Sequence, residues 1–255
     1  MLLAPATLLN REAQGAWLRL TLHAPALATA QAGQLGALRS ALPGSADPLL
    51  RQSLFITPQP ALEGGTVLLP AQAPAAAFVR TLPLGVELDL LAPLGQGWRI
   101  EPTTRTLALV GEAAAAPALF ALAHTAVQRG LAVSLTLGVT ERDAAPPAAW
   151  LPTAVEYHLV TSRVPAAAAL AALDEQTLQW ADMLAIALPQ ALWASLARRI
   201  EQTRIRWPRG FAQVAINTPL PCGVGVCDAC AIETRRGARL VCRDGPIVDL
   251  RDLTR

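Results

Sequence analysis

TLALVGEAAAAPALFALAHTAV, residues 106–127, is apolar enough to pose a choice between a membrane span and a strand followed by a helix. The segment carries Glu112, Pro117 and His124, and its commonest residue, Ala, drives insertion weakly compared with Leu or Ile. TLALVG has the length and content of a buried parallel strand, and the residues after it have helical spacing with Pro117 well placed at the first turn. A strand–helix unit is therefore expected, without a membrane span.

Downstream the alternation continues. AVSLTLGV (132–139) and AVEYHLVTS (154–162) read as strands, AAAALAALDEQTLQW (166–180) as a helix, ADMLAIAL (181–188) as a strand and PQALWASLARRIEQT (189–203) as a helix. Alternating strands and helices imply a parallel sheet. Upstream the pattern differs: WLRLTLHA (17–24), GQLGALR (33–39), SLFITP (53–58), TVLLPA (66–71) and VELDLLAP (86–93) are short runs separated by Gly/Pro punctuation. Regular short strands predict an antiparallel barrel or sandwich, with LPGSADPL (42–49) as a turn-rich loop. The expected fold class is multidomain α+β, with an N-terminal antiparallel β-barrel over 1–101, a central α/β parallel-sheet domain over 102–207 and a metal-binding extension over 208–255.

The chain's four cysteines all lie in its last 34 residues, at Cys222, Cys227, Cys230 and Cys242, a C-x4-C-x2-C-x11-C spacing. The first three match the plant-type 2Fe–2S run, which must wrap a cluster and deliver two thiolates to each of two irons. Gly223 and Gly225 suit the close backbone approach this needs. Structural zinc usually takes two short Cys pairs and remains the alternative; disulfides would require an oxidising compartment. The N-terminus MLLAPATLLNREAQG has no basic n-region or long apolar run, so a cytoplasmic location is expected.

The net charge is only +2 and the arginines form no block interleaved with aromatics, which argues against a nucleic-acid partner. His23, His124 and His158 stand apart, and no Ser-His-Asp or HExxH pattern occurs. Arg235, Arg236 and Arg239, between the third and fourth cysteines, fit a solvated hairpin tip or a contact with an acidic partner surface.

With CGVGVCDACAIETRRG…LVCRDGPIVDL at the end and GVELDLLAPLGQGW at 85–98, nearly the whole chain resembles the electron-transfer subunit of two-subunit dihydroorotate dehydrogenases, a branch of the ferredoxin–NADP⁺ reductase superfamily. The resemblance implies an FAD-binding barrel, a nicotinamide-binding α/β domain and a 2Fe–2S extension. It also implies a flavin-containing catalytic partner in a hetero-oligomer. Several motifs depart from the family pattern. The flavin motif, R-R-P-[aromatic or aliphatic]-[S/T/G], aligns with Arg51-Gln52-Ser53-Leu54-Phe55. Gln52 stands where an arginine fork would grip pyrophosphate, and Phe55 replaces the small residue that faces the flavin. Arg51 either turns inward as a substitute or is a surface arginine.

The expected G-x-G-T segment is PAAAFVR (74–80), without glycine. In the nicotinamide loop, the glycine cluster has become Gly111-Glu112-Ala113-Ala114-Ala115-Ala116-Pro117, and C-G-P-x-x-M has become Ala187-Leu188-Pro189-Gln190-Ala191-Leu192. Methyl groups and a carboxylate then occupy the space of an anion. The expectation is an electron-transfer component, not a stand-alone enzyme, with Arg51, Gln52 and Ser53 as the flavin positions, FAD binding left open and NAD binding lost. The alternative is a non-catalytic scaffold subunit with a structural cluster.

Overall fold

The structure is a computed structural model describing residues 2–41, 45, 47–48 and 50–253, and the side chains from residue 5 onward. The turn expected at 42–49 lies largely outside the described residues.

Six strands close the barrel: β1 (Leu2–Gln14), β2 (Trp17–His23), β3 (Leu35–Leu38), β4 (Gln52–Gln59), β5 (Gly64–Pro70) and β6 (Glu87–Leu94), in the order β1-β2-β5-β4-β3-β6. Two short helices, α1 (Pro25–Ala28) and α2 (Pro74–Thr81), accompany them. The sequence reading began at Trp17 and missed β1. Its Pro5 and its run of leucines obscure the two-residue period, and a register shift between Leu8 and Asn10 breaks it again. Yet β1 closes the barrel, pairing through its first half with β6 and through its second with β2. Inside, Leu8, Leu18, Leu20, Leu22, Ile56, Leu69 and Leu90 are essentially inaccessible.

The second sheet begins with β7 (Thr106–Glu112), followed by the helix α3 (Ala116–Gln128), so residues 106–130 form the expected strand–helix pair. Then come β8 (Ala132–Val139), β9 (Val155–Thr161), α4 (Pro165–Ala172), α5 (Glu175–Trp180), β10 (Met183–Ala187), α6 (Trp193–Thr203) and β11 (Ala212–Ala215). The helix read over 166–180 is two helices. Asp174 breaks it, because its carboxylate accepts the Thr177 N–H (2.7 Å) and starts α5 as an N-cap. No described helix is long and apolar enough to cross a membrane.

The tail adds β12 (Ala231–Thr234) and β13 (Gly237–Leu240), a hairpin, then α7 (Val241–Asp244), β14 (Ile247–Asp249) and α8 (Leu250–Leu253). The large sheet runs β14-β11-β10-β7-β8-β9, all parallel except the β11–β14 pair. Within 208–255, then, β11 and β14 extend the sheet of the α/β domain. One apolar core joins the parts: Phe55, Leu94 and Trp98 from the barrel side belong with Leu119 of α3 and with Cys230 and Cys242 of the tail. Helix α3 packs on β4 as well as on β7, β8 and β10.

Candidate metal centre and nucleotide-type sites

The four thiols gather in one region: Cys222 neighbours Cys227, Cys242 neighbours Cys230, and the charge of Cys222 also acts on Cys242. The chain arranges this locally. Gly223 and Gly225, at φ +66° and +77°, fold the loop back so that the Val224 N–H points at Cys222 Sγ (3.4 Å), joined by the N–H groups of Val226 and Cys227. A side chain at Gly223 would meet Leu91 Cδ2 at 2.9 Å, so the loop sits hard against β6. The fourth ligand position is brought in by the β12–β13 hairpin, and the Val241 N–H donates to Cys230 O (3.1 Å).

The environments of the thiols differ. Converging N–H groups, Val224 first, bring the Cys222 thiol down to about 6. Burial, with Cys230 alongside, pushes the Cys242 thiol up to about 11, and the Gly225 N–H opposes this. Cys230 and Cys242 are buried, whereas Cys227 is exposed. Among the described residues no three His, Cys, Asp or Glu side chains converge on one point as a single-ion site. Four thiols on a glycine-turned loop, with a backbone N–H directed at Cys222 Sγ, form a donor set of the kind that holds an iron–sulfur cluster.

The three expected flavin positions hold three different partners. Arg51 lies on the barrel wall, where its guanidinium holds Asp89 of β6 (2.8 Å) and donates to the Asp89 carbonyl (3.0 Å). Gln52 Oε1 accepts the Ala75 N–H (3.1 Å) at the start of α2, the helix formed by the expected phosphate segment. Ser53 Oγ donates to Thr218 O (3.4 Å), linking β4 to the irregular segment between β11 and the cysteine loop. Asp89 was missed in the sequence; its position inside the otherwise apolar VELDLLAP was the available signal.

At the nicotinamide-type loop, a cleft of ≈ 620 Å³ opens at the carboxyl ends of β7 and β10, where the strand order reverses. Among the described residues its wall includes Glu112, Gln190, Trp193 and Glu233, and no Arg or Lys. Burial raises the Glu112 carboxyl above its ordinary range. Ala113–Ala115 add a 3-10 turn in front of α3, whose first residues, Ala116 and Pro117, are buried. The end of the helix that would receive a pyrophosphate is covered by methyl groups.

The other candidates resolve simply. Nε2 of His124 donates to the Trp150 carbonyl (2.8 Å), His23 neighbours Leu62 O (3.2 Å) and His158 is exposed. The arginine hairpin tip folds back on α8: the Arg235 N–H donates to Asp252 O (2.8 Å) and Arg236 faces the Asp252 carboxylate at 3.5 Å.

A closed barrel, a parallel-sheet domain and a four-thiol tail define a protein of the ferredoxin-reductase fold with an iron–sulfur end. Residues 217–254 match the iron–sulfur cluster binding domain of dihydroorotate dehydrogenase B, so the tail is an iron–sulfur cluster-binding segment. The chain is similar to the dihydroorotate dehydrogenase B (NAD(+)) electron transfer subunits of Geobacillus kaustophilus, 27% identical over 80% of this chain and 79% of the relative, and of Shouchella clausii, with the same identity and coverage. Among solved structures it shares its fold with a chain of the NADH-dependent reduced ferredoxin-NADP oxidoreductase (TM-score 0.75, 16% identity, 97% of this chain and 89% of that one). It also shares its fold with the ferredoxin reductase in carbazole 1,9a-dioxygenase, solved in an FAD apo form (TM-score 0.60, 18% identity, 83% and 64%).

Proposed function

We propose that this chain is the electron-transfer subunit of a two-subunit oxidoreductase. Cys222, Cys227, Cys230 and Cys242 would hold a 2Fe–2S cluster, and the partner would be a flavin-containing catalytic subunit of the dihydroorotate dehydrogenase type. The observation that carries the reading is the gathering of four thiols at C-x4-C-x2-C-x11-C spacing in the matched tail, with the Val224 N–H directed at Cys222 Sγ. When bound, the cluster supplies one-electron uptake and release. The chain's residues do the rest: buried Cys230 and Cys242 fix the inner side, the loop N–H groups stabilise charge on sulfur, and Cys227 marks the outer side. Around it Val226 (76% exposed) and Val224 (38%), with Arg243 beside the loop, present an apolar face with a basic edge suited to a protein partner. The covered start of α3 and the acidic cleft oppose NAD(P) as electron acceptor.

Iron and sulfide analysis with EPR of anaerobically purified protein tests the assignment. Two irons and two sulfides per chain, with a signal appearing on reduction, are expected; folded protein without iron and sulfide would sink it. A scaffold role with a structural cluster is the second reading, favoured by the burial of Cys230 and Cys242 in the common core. Reoxidation of the dithionite-reduced cluster by oxidised partner at a turnover-relevant rate decides for electron transfer; no reoxidation decides for the scaffold.

A further inference from the structure

We propose that the barrel has closed its own flavin cradle and binds no FAD, so that the chain passes electrons on singly to a one-electron carrier. This rests on the proposed function only for the redox role of the cluster; the closure itself stands on the barrel's side chains.

A flavin dinucleotide needs an anion site for its pyrophosphate and an open face for its ring. The family resemblance puts the anion site at the start of α2, the helix after β5, where unpaired N–H groups would meet phosphate oxygens. None is left. Pro74 has no N–H; Ala75 donates to Gln52 Oε1 (3.1 Å); Ala76 and Ala77 both donate to Ala73 O (2.9 and 3.1 Å). Ala75 and Ala76 are also fully buried. The Gln52 carbonyl thus does internally what a phosphate oxygen would do, and it brings no positive charge for a pyrophosphate.

The neighbouring cation is committed elsewhere. Arg51 is ion-paired with Asp89 and donates to two main-chain carbonyls, with only 19% of its side chain exposed. Turning it inward would leave Asp89 without this partner. The ring face is closed as well. Phe55 is buried in the core that also contains Leu35, Leu94 and Leu119, and α3 packs directly on β4. Three separate requirements fail at adjacent positions, each through a contact that stabilises the chain by itself.

The consequence concerns the acceptor. A hydride acceptor such as NAD⁺ takes two electrons together, whereas an iron–sulfur cluster releases one, and a flavin is the usual converter between them. Without a flavin here, each reduced flavin of the partner must discharge as two single-electron steps with loss of its two protons. Each electron then reduces one oxidised carrier, such as a haem or iron–sulfur protein.

The test is to incubate the purified chain with excess FAD, desalt it, denature it in acid and measure released flavin alongside iron and sulfide. Flavin absent from an iron-loaded sample is expected; stoichiometric FAD overturns the proposal. Missing iron and sulfide would count against the proposed function instead, whatever the flavin result. In the complex with its partner, cytochrome c is expected to be reduced and NAD⁺ not; NAD⁺ reduction by a complex in which this chain holds no FAD would overturn the inference about the acceptor. A Gln52→Arg/Phe55→Ser variant should gain quenching of FAD fluorescence; a folded variant binding no better than wild type would show that these side chains are not what closes the cradle.

Discussion

Asp252 shows how one residue can hold a whole segment. Only 8% of its side chain is exposed, and its carboxylate takes a bidentate grip from Arg209 (2.7 Å on both oxygens) while its main-chain oxygen accepts from Arg235. Arg209 holds the carboxyl below its usual range. A lowered folded-state value means that the contribution is present above the unfolded pKa and lost as pH falls through the folded one. Asp252→Asn should therefore cost about 1–2 kcal/mol at neutral pH, Arg209 being half exposed, and its deficit should shrink below about pH 4. Urea melts of both proteins across that range check this. Among the thiols, Cys230→Ser and Cys242→Ser should abolish iron retention and also lower the melting temperature. Cys227→Ser, at an exposed position, should impair cluster assembly with a smaller effect on the fold. Iron content against thermal melts separates the two classes.

Elements meet through backbone approaches that no side-chain pattern announces. The end of β6 runs into Gly95-Gln96, and there the Gln96 N–H donates to Gly245 O of the tail. Gly95 has φ +73°, and a Cβ on it would stand 2.0 Å from that same carbonyl oxygen. Gly95→Ala should separate the barrel from the cysteine tail, costing more than about 2 kcal/mol, and reduce iron retention. Thermal melts and iron analysis would register both effects. At α5, Asp174→Ala removes the cap on Thr177 and should cost about 1 kcal/mol without altering iron content, measured by denaturant titration. PLGQG and CRDGP, quoted separately as motifs, are thus two sides of one contact. Their glycines could be read from the sequence; their meeting could not, because nothing local encodes a contact between backbones some 150 residues apart.

At the scale of the molecule, barrel, sheet and tail share a core that passes through Trp98, whose Nε1 donates to Ala118 O in α3 (3.2 Å). A single cooperative transition is expected in calorimetry. Trp98→Ala should lower its free energy by roughly 3–5 kcal/mol by opening a cavity between the parts, and two separate transitions in wild type would refute the shared core. The acidic cleft at the switch point leads to the further expectation that NADH and NADPH do not reduce the cluster in stopped-flow mixing.

The sequence by itself determined the fold class, through the change from short punctuated strands to alternating strands and helices, and a four-cysteine ligand set in the tail, through its spacing, with zinc left as the alternative to iron–sulfur. Both signals are local, carried by period and spacing along a few residues. It also revealed that the glycines and arginine of the nucleotide motifs had changed, but left open whether Arg51 stands in for the lost arginine. That depended on Asp89, 38 residues away, and on the Gln52 carbonyl reaching the start of α2. The strand order brings those groups together, with β3 between β4 and β6 and with β5, which leads into α2, beside β4. A side chain's role is set by the partner it can reach, and reach across a sheet is decided by tertiary structure.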